Sequence, residues 1–228
     1  MHIIISDKIK KTYPEASLGV LVMKDVSNPK QHEELNQYKL KVESDLREKF
    51  TGLARDDLKN MEPINTYRNY YKKFKKSYHV LFQLESIILK NRSIPKVAAL
   101  VEAMFMAELK NLLLTAGHDL DAIELPVMLD TADGTEKYIM INSQEKKLLP
   151  DDMFIADSTG IISSIIYGPD LRTRITPDTK NVLFTIYAPS GIDKAKVLQH
   201  LQNIKDYVHV ISPGSKIELM KVYDCKEI

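Results

Sequence analysis

An α+β fold is expected for this chain, because its helical and β patterns are segregated along its length. Apolar residues recur at helical spacing through the first half, and beyond Gly117 the period shifts toward alternation, with turns at Asp133-Gly134 and Thr159-Gly160. Residues 182–187 then run almost without a polar break, as a strand covered on both faces does.

Residues 2–5 and 18–23 read as short strands separated by a lysine-rich turn of helix at 8–11. From 29 to 58 the pattern is helical: Leu35, Val42, Leu46, Phe50 and Leu53 share one stripe, and Glu43/Arg47 and Asp45/Lys49 are spaced to pair on a wet face. Pro63 breaks that run, and a second helix is expected over 65–78, with another helical segment over 84–89. Ser93 and Pro95 open a strongly apolar helix over 97–115, and Gly117 suits the left-handed residue that closes it. Strands follow at 127–129, 138–141, 153–155 and 161–166. Thr176 as N-cap with Pro177 behind it makes a short turn before the 182–187 strand. A helix over 193–205, a strand over 207–211, a Ser-Pro-Gly turn and a strand over 217–223 complete the chain. No repeat or low-complexity linker divides it, so residues 1–62, with the first strands and the long helix, and residues 63–228 are expected to pack as one globular unit.

With 228 residues and 44% hydrophobic content the chain can bury a substantial core. Its net charge of +1 supplies no strong field, so any RNA contact must come from a local patch. Cys225 is the single cysteine and cannot form an internal disulfide, which suits a reducing cytoplasm. No stretch approaches the roughly 20 apolar residues of a membrane helix, and no membrane partner is expected. The six histidines show no metal-ligand spacing, and there is no P-loop, dinucleotide fingerprint or nucleophile elbow. Neither a metal nor a cofactor is expected.

Three segments carry candidate chemistry. The loop before the 182–187 strand holds Asp170, Arg172 and Arg174, and arginine is well shaped to bind phosphate or carboxylate; pairing with neighbouring acids is the structural alternative. Tyr67, Tyr70, Tyr71, Phe74 and Tyr78 fall on one helical face, which reads as core. Arg68, Lys72, Lys73, Lys75 and Lys76 fall opposite, either as a solvated face or as a surface for phosphates. In the segment 116–121, His118 is a candidate proton shuttle with Asp119 or Asp121 orienting it or holding a water; alternatively the aspartates cap a turn and His118 fills the surface. Glu102, inside the apolar helix, either sits on its rim, pairs, or lines a pocket.

Taken in order, Tyr67-Arg68-x-x-Tyr71, Ile94-Pro95, His118-Asp119-Leu120-Asp121-x-Ile123, Asp157-Ser158-Thr159-Gly160 and Arg174-Ile175-Thr176-x-x-Thr179-Lys180-Asn181 resemble the editing domain of the phenylalanyl-tRNA synthetase β subunit, built from its third and fourth B modules. The resemblance covers roughly residues 64–190 and implies a mixed β-sheet flanked by helices. It also implies binding of the acceptor end of tRNA with its attached amino acid, and hydrolysis of a wrongly attached one. Where bacterial synthetases carry His-Ala-Phe-Asp this chain has Ala116-Gly117-His118-Asp119; their Gly-Gly-Glu falls near Pro169, Asp170 and Leu171, and an Asn of many relatives aligns with Phe105.

On that resemblance the chain is expected to be a free-standing tRNA-binding protein that hydrolyses mischarged aminoacyl-tRNA in trans. Arg172 or Arg174 would hold a phosphate or the ester oxygen, Asp170 or His118 would orient the water, and Asp119 would bind the α-amino group, with Asp121 and Glu102 as further substrate contacts. Two alternatives stand beside it: an RNA-binding module without chemistry, and a pocket for a free amino acid or similar small ligand.

Overall fold

The computed structural model describes residues 1–226. Strand β1 (Ile3–Ile5), helix α1 (Asp7–Thr12) and strand β2 (Ser17–Lys24) open the chain. Four helices follow where three were expected: α2 (Glu33–Lys49), α3 (Arg55–Asn60), α4 (Ile64–Lys73) and α5 (His79–Ile88). Then come α6 (Ala99–Asn111), β3 (Thr115–Asp119), a single 3-10 turn, β4 (Val127–Thr131), β5 (Lys137–Ile139), β6 (Glu145–Lys147), β7 (Met153–Asp157), β8 (Gly160–Ser164) and β9 (Gly168–Pro169). Strand β10 (Val182–Ala188), helix α7 (Lys194–Ile211) and strand β11 (Lys216–Asp224) finish it. The α+β class and the mixed sheet hold.

Two larger sheets form. One has the order β1-β4-β7-β8-β9, with β1 parallel to β4 and the rest antiparallel; the other is antiparallel, in the order β11-β2-β10-β3. Every residue of β10 is buried, as its unbroken apolar run requires. Strands from the first 24 residues enter both sheets, and one hydrophobic cluster runs from Ile9 to Cys225. Among the described residues no helix is long and apolar enough to cross a membrane.

Four expectations need correction. The 29–58 helix is two helices, because the chain leaves α2 at Phe50 and turns through Gly52 at φ 79° before α3. The 65–78 helix stops at Lys73; Lys75 takes φ 55°, and Tyr78 caps α5 instead. Its ring still joins the aromatic core, stacked on Tyr67 with centroids 4.5 Å apart. The apolar helix ends at Asn111, and Leu112 in the left-handed region (φ 61°), not Gly117, closes it. Gly117 lies in β3, where a Cβ would sit 2.8 Å from Ile175 Cδ1. Finally, the apolar run 207–211 belongs to α7, because Leu201, Ile204, Tyr207, Val208 and Ile211 continue one helical stripe.

Candidate functional site

A cavity of about 220 Å³ opens where α6, β3, β8 and β9 meet. Helix α6 presents Val101, Met104, Phe105 and Glu108 to it, and β3 presents Thr115, Ala116 and Gly117. Gly168, Pro169 and Ile175, which flank the charged loop, close the far side, and His79 and Ile141 line it as exposed residues. The glycine in β3 leaves the space a side chain would otherwise take.

One polar group in this wall is unusual. Glu108 is fully buried; its Oε1 accepts from the Thr115 N–H at 2.8 Å, while Oε2 has no hydrogen-bond partner among the described residues. Burial pushes its pKa up to about 8, so the empty pocket holds it as the neutral acid at pH 7. Behind Thr115 the buried His200 continues the polar chain: its Nδ1 lies 3.0 Å from the Asn111 amide nitrogen and its Nε2 2.7 Å from Thr115 Oγ1. A wider groove of about 620 Å³ between α2 and α7 is lined by Lys41, Asp45, Lys49 and Asp206, and the Asn111 and Asn203 amides on its floor bond to each other.

The loop residues singled out by sequence are brought together, but as a knot beside the cavity. Asp170 is buried and accepts from the Arg172 N–H (3.2 Å), the Thr173 N–H (3.1 Å) and the Thr173 hydroxyl. Burial raises its pKa against those bonds. Arg172 donates to Asp157 Oδ2 at 2.8 Å and to the Ala122 carbonyl, so it braces the loop against β7. Arg174 is exposed and its guanidinium donates to the Leu171 carbonyl at 2.6 Å.

His118 neither fills the surface nor reaches the cavity. It lies in β3 with no exposure, and Nδ1 is 2.8 Å from Thr173 Oγ1. Because that hydroxyl donates to Asp170, it must accept from the imidazole, which places the ring proton on Nδ1. Nε2 has no partner among the described residues. Burial, with Arg172 nearby, depresses its pKa to about 3, so the ring stays neutral.

The remaining candidates also have local work. Asp119 caps the 3-10 turn through the Asp121 N–H (3.0 Å) and accepts from Thr179 Oγ1 (2.6 Å), and Asp121 accepts from Asn181 Nδ2. Glu102 is not on the rim: it is buried in a pair with Lys39 at 2.8 Å and accepts from the Val97 N–H. Arg68 donates to the Lys59 carbonyl at 2.6 Å, closing α3. Lys72, Lys73, Lys75 and Lys76 are exposed; Lys73 lies over Tyr13 and Lys76 over Tyr167, whose other neighbour is Lys146 at 4.4 Å from the ring centroid. Tyr167 precedes the cavity residue Gly168 in the chain, and its ring packs on a separate cluster of Tyr138, Leu148 and Phe154.

Sequence reasoning noticed Glu102 and passed over Glu108, six positions on in the same helix. The available signal was the segment 106–109, a carboxylate with apolar residues on both sides. The pairing of Glu102 with Lys39 and the absence, among the described residues, of a partner for Glu108 Oε2 depend on contacts across the fold.

Comparison with known proteins places this arrangement. A segment of 68 residues, 29% of this chain, is 37% identical to the phenylalanine–tRNA ligase beta subunit of Tropheryma whipplei (strain Twist). The match spans only 7% of that relative. The crystal structure of an N-terminal fragment of the phenylalanyl-tRNA synthetase beta-subunit from Pyrococcus horikoshii is similar over 95% of this chain and 50% of that one, with TM-score 0.49 and 15% identity. Residues 66–210 match the model of the B3/4 domain, more than half of the chain, and with cavity, knot and flanking strands all inside that span, the chain belongs to the B3/4 domain family.

Proposed function

We propose that this protein binds the acceptor end of tRNA, takes the attached amino acid into the 220 Å³ cavity, and hydrolyses the ester in trans. The observation that carries this reading is the cavity itself: apolar, sized for one side chain, and walled in part by Glu108, whose Oε2 has no partner among the described residues. Its similarity to tRNA-ligase β subunits supports the choice of polymer.

An aminoacyl ester is activated, so holding the ester and a water in one geometry supplies much of the rate. Asp170 and His118 are committed to the loop, and in this reading they position Gly168, Pro169 and Ile175 without touching substrate. His79, exposed on the cavity wall, is the group placed to accept a proton from the attacking water. The reaction belongs in the cytoplasm, where charged tRNA is found. The sealed state of Asp170 and His118 favours one second reading, a tRNA-binding module without hydrolysis.

A panel of aminoacyl-tRNAs incubated with the protein separates the two. Accelerated ester loss for one amino acid, reduced by His79→Gln, supports the hydrolase. Salt-sensitive tRNA retention with no release supports the module, and neither retention nor release sinks both.

A further inference from the structure

We infer that Glu108 makes this cavity a site for a primary ammonium group carried beside a compact apolar body, the α-amino end of an amino acid being the plainest case. The inference rests on the aminoacyl-pocket reading and adds the group that is recognised.

Glu108 is part of the cavity wall, and its Oε2 is buried with no hydrogen-bond partner among the described residues. A buried polar atom left without a partner costs about 1–3 kcal/mol, and a ligand that brings a partner relieves it. The rest of the wall narrows the choice of donor. Val101, Met104, Phe105, Ile165 and Ile175 offer an apolar bed, and no lining residue is Lys or Arg. An ammonium makes a charge-assisted bond to the carboxylate, roughly twice as strong as the bond a ligand hydroxyl makes to the acid.

The surroundings leave Glu108 as the titrating partner. Tyr67 and Tyr71 of α4, Tyr78 ahead of α5 and Tyr187 of β10 are all pushed above the ordinary phenol range by burial and stay neutral. His200 of α7, behind Thr115, is held neutral by burial with a pKa of about 3. His79 is the remaining titratable group on the wall. An arriving ammonium therefore ionises Glu108, and the carboxyl proton leaves to solvent. Affinity should rise with pH up to about 8, where the empty pocket's acid ionises, and level off beyond it.

The test is calorimetric titration of the intact protein with isoamylammonium and with its neutral isostere isoamyl alcohol, in buffers of differing ionisation enthalpy. The amine should bind about tenfold to a hundredfold more tightly than the alcohol, with close to one proton released per ligand near pH 7. Glu108→Gln keeps the shape and the Thr115 bond and should erase both the preference and the proton release. Equal binding of the two probes, binding of neither, no proton release, or a preference that survives in Glu108→Gln overturns the inference. The amine–alcohol contrast in the unmodified protein decides the matter even if a variant fails to fold. Amine binding without any deacylation would sink the hydrolase reading alone, and deacylation without amine preference would sink this inference alone.

Discussion

At the scale of single residues, buried acids set the behaviour of the molecule with pH. Glu108 titrates near 8 in the folded protein against an ordinary value of 4.5, so above pH 4.5 the unfolded chain releases a proton that the folded one keeps. Folding stability therefore falls as pH rises through that window, with a limiting slope of about 1.4 kcal/mol per pH unit. Asp152, buried beneath Tyr70 and raised to about 7, adds to the same trend. Urea denaturation between pH 5 and pH 8 should show Glu108→Gln with a flatter decline than the unmodified protein; a parallel decline would show that Glu108 is ionised in the pocket. The two arginines of the loop should separate in the same assay. Arg172→Ala removes the brace between Asp157 and the Ala122 carbonyl and should cost about 1–2 kcal/mol, whereas Arg174→Ala, whose exposed guanidinium bonds to the Leu171 carbonyl of its own loop, should fall within about 0.5 kcal/mol of the parent. Equal costs would mean the brace contributes nothing. The sequence showed both as arginines beside an acid, and side-chain partners alone distinguish them.

At the scale of elements, local periodicity located most helices and strands, and its failures are informative. Tyr67, Tyr70, Tyr71 and Tyr78 were legible as one apolar face, and all four rings are buried together even though the helix stops at Lys73. The stop itself was not legible, because no Gly or Pro marks Lys75, whose left-handed backbone lets the Lys76 N–H close the helix on the Tyr71 carbonyl. Gly117 was read as a helix closer for its freedom at positive φ, yet β3 uses it for its missing Cβ. Gly117→Ala drives a methyl toward Ile175 and Phe184 and should cost about 1–3 kcal/mol while narrowing the cavity. Thermal unfolding and amine titration check the two halves of that expectation. An alanine variant as stable and as open as the parent would show that Ile175 yields freely.

At the scale of the whole molecule, strands distant in sequence close each sheet. Strand β2 sits between β11 and β10, and β1 pairs with β4, so the chain's first 24 residues support strands that lie far downstream. A fragment of residues 66–210, the span matching the B3/4 domain, lacks β1, β2 and β11 and would leave the apolar β10 with an open edge. Circular dichroism of that fragment in urea should show no cooperative transition, unlike the full chain; a sharp transition would mean the remaining strands suffice.

By itself the sequence determined the α+β class, the order of most elements, the aromatic core and the family resemblance, since each depends on spacing within a few turns of chain or on short motifs in order. Only the tertiary structure decided which acid faces a cavity and which is tied down. Glu102 met Lys39, Asp170 met Thr173, His118 was enclosed by the loop, and Glu108 was left with one oxygen unpaired. A side chain's partners come from elements tens of residues away, and burial changes its charge as much as its identity does.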